Sequence, residues 1–380
     1  MNKLSICVVL FVLSYTGFSQ SYDFQVIKEI EALPVVSQDN TGSCWSFSTI
    51  SFLESEMIRI TGTKTDLSEM YIVRSTYLDK AENYVMRQGK AQFGEGGLSH
   101  DVINSARKYG IVPSPSYMGK STPEMKYNHS KMISELDNIV KKAVTETPKK
   151  YPNWKADYVA VLDTYMGKFD ENSKIYVPNV KIDEQTTNEK SLTPKQFLAT
   201  TKLNLDDYIT ITSFTSEPVY SNFILNIPDN FANGSMYNLP LDEFIENIDH
   251  ALDKGFTLVL DTDVSEITFS SKNGIAVIPE NDNDAATILK EIKTEKKITP
   301  EYRQAEFENY NTQDDHLMHI VGKVVDQKGN HYYKVKNSYG IQSGRNGFVY
   351  VSVPYVRLKA ISVMLHKNGL MKKTKDALKL

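Results

Sequence analysis

The feature that most constrains this chain is a change of hydrophobic period along its length. From Cys44 onward, Phe47, Ile50, Leu53, Met57 and Ile60 recur at steps of three and four, the spacing of one helix face. Ser68–Leu78, Ser99–Tyr109 and Leu241–Lys254 also read as helices. Later the pattern turns to strands. Phe256–Asp261 is strand-like, and Leu317–Val325, Tyr332–Lys336, Gly347–Val353 and Lys359–Leu365 read as antiparallel β, the first two joined by the turn Gln327–Asn330. Helices first and strands later predict an α+β architecture. Between about residues 119 and 240 the sequence is mixed and polar, with a helix near Glu124–Thr145 and a linker-like stretch at Ile182–Leu192. This reads as an insertion within one domain spanning residues 21–380, since no internal repeat is visible.

Residues 1–20 read as a signal peptide. Lys3 supplies the positive start, Leu4 to Leu13 an apolar run broken by Ser5, and Ser14, Thr16, Gly17 and Ser19 a small and polar cleavage zone. The run is too short for a membrane anchor, and Cys7 precedes most of it, which argues against a lipoprotein site. The expectation is a protein exported to the periplasm or secreted, with no membrane insertion once the leader is removed. A net charge of −4 offers no concentrated positive field, so no nucleic-acid partner is expected.

Export makes the cysteine count informative. The chain has two, Cys7 and Cys44, and removal of the leader leaves Cys44 alone, unable to form an internal disulfide. A lone thiol in an oxidising compartment is either a buried, inert core residue or a residue with a use. Its position favours use: Cys44 lies in the first turn of a helix, with Ser43 as a candidate N-cap. Unsatisfied N–H groups there stabilise a thiolate.

A thiolate also needs an imidazole. Of seven histidines, His316 and His319 stand together in Asp314-Asp315-His316-Leu317-Met318-His319-Ile320. On a strand they point to opposite faces and cannot converge on one ion, so no metal site and no cofactor are expected. Further on, Asn337 in Lys336-Asn337-Ser338-Tyr339-Gly340 can accept a bond from an imidazole N–H and fix its tautomer. Gln38 precedes Cys44 and can donate a side-chain N–H to an oxyanion, together with the Cys44 backbone N–H. Taken singly, Asn337 reads as a turn residue and Gln38 as a loop residue.

Together these residues carry a resemblance. Gln38 through Cys44-Trp45-Ser46-Phe47 resembles the papain-type active-site segment, with Thr41 in place of its first Cys. Asp315-His316 and Asn337-Ser338-Tyr339-Gly340 resemble the histidine and asparagine segments, in the same order, with Tyr339 where Trp is usual. Gly94–Gly97 looks like the glycine edge that holds the substrate backbone. Ordinary papain-like enzymes place the histidine about 130–150 residues after the cysteine; here the interval is about 270. That layout resembles the bleomycin hydrolase and aminopeptidase C branch, as do Leu67–Tyr71, Lys108–Pro113 and Leu192-Thr193-Pro194 with Phe197.

The resemblance implies a papain-like fold: a helical left part, an antiparallel β right part, and a mixed insertion between Cys and His. It implies a cysteine peptidase acting on peptides through a thioester, as an aminopeptidase or oligopeptidase. Cys44 would be nucleophile, His316 acid and base, Asn337 orienter and Gln38 oxyanion donor, with Gly96, Gly97 and Trp45 binding substrate. A homo-oligomer is also implied. In this branch a C-terminal arm lies in the cleft, so the place of Leu380 relative to the thiol bears on exopeptidase against open-cleft endopeptidase action. Cys-dependent acyl transfer and a non-catalytic binding role are the other readings of the same scaffold.

Overall fold

The computed structural model describes residues 21–169, 172, 174–182 and 185–380. The leader read at residues 1–20 lies outside them.

Helix α1 (Cys44–Thr61) is the axis of the fold. The sequence predicts an amphipathic helix, but every residue from Cys44 to Met57 is buried. The polar stripe is built of small residues whose groups find partners inside: Ser48 Oγ donates to the Leu317 carbonyl at 2.5 Å and Ser55 Oγ to that of Glu31 at 2.9 Å. Short hydroxyl side chains let a strand approach on one side while α2 (Glu69–Met86) and α3 (Ser99–Tyr109) pack on the other. The α1 C-terminus is closed by Gly62, at φ 69°, whose N–H bonds the Ile58 carbonyl. Ser68 caps α2 by accepting from Tyr71 N–H at 3.0 Å. Helix α2 runs beyond the predicted end at Leu78 because Lys80, Ala81 and Val85 continue its buried face.

The segment after residue 119 adds to this helical layer. Helices α4 (Ser130–Lys150) and α5 (Trp154–Met166) bury Met132, Leu136, Val140, Trp154, Tyr158 and Leu162 in the same core as α1 to α3. Regular helix stops at Thr147, which takes φ 64° ahead of Pro148. Strands β2 (Ile175–Ile182) and β3 (Gln185–Leu192) form an antiparallel hairpin where the sequence suggests a linker. Helix α6 (Pro194–Thr200) starts from a Thr193–Gln196 capping box.

The remaining strands form one large sheet. Along it, in order, lie β5 (Asn222–Ile224), β6 (Ser235–Asn238), β4 (Tyr208–Thr212), β13 (Ala360–His366), β7 (Leu258–Thr262), β10 (His316–Asp326), β11 (His331–Lys336), β12 (Phe348–Ser352), β9 (Ile275–Ala276) and β8 (Phe269–Ser270); β1 (Phe24–Glu29) also pairs with β10. The predicted strands pair antiparallel, as expected, and β4–β6 and β9–β12 add two parallel pairings. The predicted strand through Val353 ends one residue early. Ser352 caps a helix, Val353–Lys359, by accepting from Tyr355 N–H at 3.1 Å, with Pro354 in its first turn.

Strand alternation divides the sheet into two faces. Val259, Leu317, Ile361 and Met364 face α1, while Leu260, Met318, Ile320, Val335, Val349 and Val363 enter a second core with the helix Leu241–Asp253. The C-terminal helix Lys372–Leu378 docks on the helix Leu241–Asp253: Asn247 Nδ2 donates to Thr374 Oγ1 at 2.9 Å, Thr374 Oγ1 donates to Glu243 Oε1 at 2.5 Å, and Leu378 joins the second core. Leu380 therefore lies on the sheet face away from Cys44.

Candidate active site

Cys44 opens α1, and the turn before it is held by a local network. Ser43 occupies the N-cap position without making a capping bond. Its hydroxyl instead lies 2.5 Å from that of Thr41, which donates to the Gln38 carbonyl at 2.9 Å. The predicted Ser43 cap is thus corrected: the loop takes its hydroxyl. Gly42 N–H donates to Glu95 Oε2 at 2.6 Å, and a Cβ on Gly42 would stand 2.7 Å from Glu95 Cβ, so this close approach requires glycine.

The same loop is stitched to the far end of the chain. Gln38 N–H donates to the Ser338 carbonyl at 2.9 Å, Gly340 N–H to that of Val36 at 3.3 Å, and Ser37 pairs with Tyr339. This brings Gln38 beside Asn337. Gln38 Oε1 accepts from Ser338 Oγ at 2.5 Å, and one side-chain N–H of Gln38 goes to the Thr41 carbonyl at 2.6 Å. An amide carries two such donors, so Gln38 retains a second for an oxyanion.

His316 begins β10 and Asn337 follows β11. His316 Nε2 lies 2.8 Å from Asn337 Oδ1. The amide orientation is set independently, because Ser338 N–H donates to the same Oδ1 at 2.7 Å. Nε2 must then carry the proton, which leaves Nδ1 with its lone pair. Tyr339 stacks on the imidazole with ring centroids 4.9 Å apart and planes at 29°. It covers the His316–Asn337 pair as an aromatic lid, although it is itself partly exposed.

Cys44 lies against the backbone of Leu317, the residue after His316, whose N–H favours the thiolate. Burial dominates, however, and pushes the thiol up to about 12; Asp229, Asp261 and Asp314 push in the same direction. Burial also pulls His316 down to about 4, opposed by its bond to Asn337. Each group alone therefore favours its neutral form. A proton passed from thiol to imidazole would create opposite charges, whose mutual attraction opposes the burial cost of each.

The glycine edge passes in front of Trp45. A Cβ on Gly97 would press on the indole at 3.1 Å, and one on Gly96 would run into the Asp229 carboxylate. Trp45 is 0% exposed, and its Nε1 donates to the Glu95 carbonyl at 2.9 Å. The expectation that Trp45 touches substrate is therefore corrected: it supports the edge from within the core. The buried Lys80 ammonium donates to the Gly96 carbonyl. The sequence reading missed Lys80, Asp229 and Asp261, which belong to no motif. Asp314 stood in plain view two residues before His316.

His319 points away from His316. Its Nδ1 is 2.9 Å from Ser51 Oγ on α1, and Lys336 Nζ donates to the same hydroxyl at 2.8 Å. The two histidines thus serve different partners, as their strand register requires.

Comparison with known proteins agrees with this geometry. The model of the Peptidase C1-like family matches residues 90–380. Aminopeptidase G of Lactobacillus delbrueckii subsp. lactis is 23% identical over 372 residues, covering 90% of this chain and 83% of the relative. Aminopeptidase C of Listeria monocytogenes serovar 1/2a is 21% identical over 379 residues, covering 92% and 83%. The crystal structure of PepW from Lactobacillus rhamnosis superposes with a TM-score of 0.75 at 18% identity, covering 93% of this chain and 84% of that one. That likeness carries the papain-like fold.

Proposed function

The chain belongs to the Peptidase C1-like family, and from that premise we propose that it is a thiol aminopeptidase with Cys44 as nucleophile. The observation that carries the assignment of roles is the 2.8 Å bond from His316 Nε2 to Asn337 Oδ1, beside the helix start that presents Cys44. The family match begins after Cys44, so the nucleophile is assigned from its place in the fold.

In this reading His316 Nδ1 takes the thiol proton as Cys44 attacks the carbonyl of the first peptide bond. The oxyanion is met by the Cys44 backbone N–H and the second Gln38 side-chain N–H. His316 returns the proton to the departing amine as the C–N bond breaks, leaving a thioester. Water, deprotonated by the same nitrogen, then releases the acid and restores the thiol. The Gly96 carbonyl accepts from Lys80 and keeps a second lone pair that a substrate N–H could use. The names of the full-length relatives support aminopeptidase over endopeptidase action.

The test is turnover of fluorogenic aminoacyl substrates with labelling by an epoxysuccinyl probe. One equivalent of probe on Cys44, with activity lost in step, is the expected result; activity that survives complete labelling overturns it. The leader pattern supports export, and the mature protein is expected to begin near Ser21 when its N-terminus is sequenced. A homo-oligomer, supported by the family resemblance, is expected by light scattering.

A further inference from the structure

Strands β5 and β6 form a hairpin at the edge of the sheet, joined by residues 225–234. This connection is shaped from within by Asn230. The buried amide donates to the Leu225 and Gly234 carbonyls, both at 2.9 Å, and accepts from Gly234 N–H at 2.7 Å. All three bonds are internal, which makes the loop a preformed unit rather than a slack connection. Leu225 and Ile227 anchor its start in the same core as α1 to α3.

The loop touches both walls of the cleft. On the sheet side, Asp229 N–H donates to Asp314 Oδ2 at 3.2 Å, two residues before His316. On the helical side, the Asp229 side chain lies over Gly96, where a Cβ would run into its carboxylate, and Gln92 Nε2 is 3.4 Å from Oδ1. The Lys80 ammonium ties loop and edge together: it donates to the Gly96 carbonyl and lies 5.1 Å from the centre of the Phe231 ring. Gly234 packs on the His100 imidazole so closely that a Cβ there would collide with it.

Which side of the thiol the loop closes follows from the chemistry of acyl transfer. His316 must reach the departing amine, so the leaving part of a substrate extends toward His316 and Tyr339. The acyl part, which carries the N-terminal residues, extends the other way, along Gly96 and Gly97. That is the edge the loop covers, and Asp229 comes near enough to the thiol to act on it. A chain that continued past the residue being acylated would meet Asp229.

We propose that residues 227–234 form a strap that closes the acyl side of the cleft and limits the substrate to a single residue ahead of the scissile bond. The strap is a steric device. It rejects longer chains by occupying their path, which is selection by a built-in clash. This proposal rests on the peptidase reading and deepens it by naming the segment that sets its mode of cleavage.

The experiment compares alanyl and N-acetyl-alanyl-alanyl substrates bearing the same fluorogenic leaving group, in the wild type, Asn230→Ala and Phe231→Ala. The wild type is expected to use the blocked dipeptide at least about 100-fold less efficiently than the alanyl substrate. Asn230→Ala removes the internal brace of the strap, and Phe231→Ala its contact with Lys80. Each is expected to raise the kcat/KM ratio of blocked dipeptide to alanyl substrate by about tenfold. An unchanged ratio in the folded variants, with both substrates affected equally, overturns the proposal. So does a wild type that takes both substrates equally well.

A second readout needs no variant. Digestion of an unblocked alanine-rich peptide by the wild type, followed by mass spectrometry, is expected to release single amino acids in order from the N-terminus. Dipeptides or internal fragments as first products overturn the strap. Activity that persists in Cys44→Ala, or a wild type that cleaves none of these substrates, would sink the peptidase reading itself. Cys44-dependent turnover with early internal fragments would overturn the strap and leave that reading standing.

Discussion

The two faces of the central sheet are built on different principles. Toward α1, the strands present His319, Asp261 and Leu317, with Lys336 and Asn337 at the end of β11, against Ser48 and Ser51 of the helix. On the other face, Met318, Ile320, Leu260, Val335, Val349 and Val363 form an apolar layer. Buried polar groups add little net stability even when paired, and cost heavily when a partner is lost. Apolar burial stabilises without fixing the orientation of any one group. The candidate site sits at the end of the sheet where the two faces meet: His316 alternates with His319 along β10, and Asn337 reaches it from the end of β11.

This contrast can be broken most sharply at the thiol. Cys44→Ala should reduce peptidase turnover by at least about 10⁴-fold, on the scale seen when a nucleophile is removed, with a urea midpoint near that of the wild type. A variant that lost activity only because it unfolded would dissolve the distinction between the faces. The reciprocal change is Ile320→Ala. It should cost about 2–5 kcal/mol in unfolding free energy, while the fraction that remains folded titrates one thiol and turns over at the wild-type rate. A fall in activity per titrated thiol would show that the apolar face also sets the geometry.

How much of this was legible follows the same division. Helix Ser99–Tyr109 was readable to the residue, because its buried face recurs at helical spacing and Gly110 ends it. The long strands β10 to β13 were legible because both of their faces are buried. Strand β1 was not: it adds to the sheet beside β10 with Val26 and Ile27 exposed, so no alternation marks it. The hairpin after Ile175 is polar along β3, and the short helix after Ser352 is rich in residues that favour strands, so local composition misdirects in both. The parallel pairings of β4 with β6 and β9 with β12 are tertiary choices with no local signature. In the candidate site, motif order groups Gln38, Cys44, His316 and Asn337, and the fold brings Gln38 beside Asn337 and Asn337 against His316. Trp45 was legible as a motif residue but not as a buried one. Asp229 and Asp261 come from separate elements and converge only in the folded chain.

A gentler disturbance of the polar face is Ser51→Ala. It leaves His319 Nδ1 and a donor of Lys336 without their shared hydroxyl, and should cost about 1–3 kcal/mol by urea unfolding. Because Lys336 adjoins Asn337, kcat should fall with it. A stability loss with kcat unchanged would separate the buried hydroxyl from the orientation of His316.

The last effect is a difference in pH dependence. An unfolded histidine titrates near 6.5, while burial holds His316 at about 4 in the native state. Between these values the unfolded chain binds more protons than the native one, so this residue makes stability rise with pH through that window; its penalty is present in acid and gone above pH 7. The full span is at most about 3 kcal/mol. Glu69 and Asp314 act with the opposite sign, since burial raises them to about 8 and about 7. Their native forms hold protons that the unfolded chain has released, and the stability they lend is lost as pH rises. The histidine contribution must therefore be read by difference. Relative to wild type, His316→Gln should gain stability at pH 4.5 and lose that advantage by pH 7.5, measured as urea midpoints. An offset that does not change with pH would mean that His316 is not held neutral by burial, and that its end of the sheet is more open to water than its packing indicates.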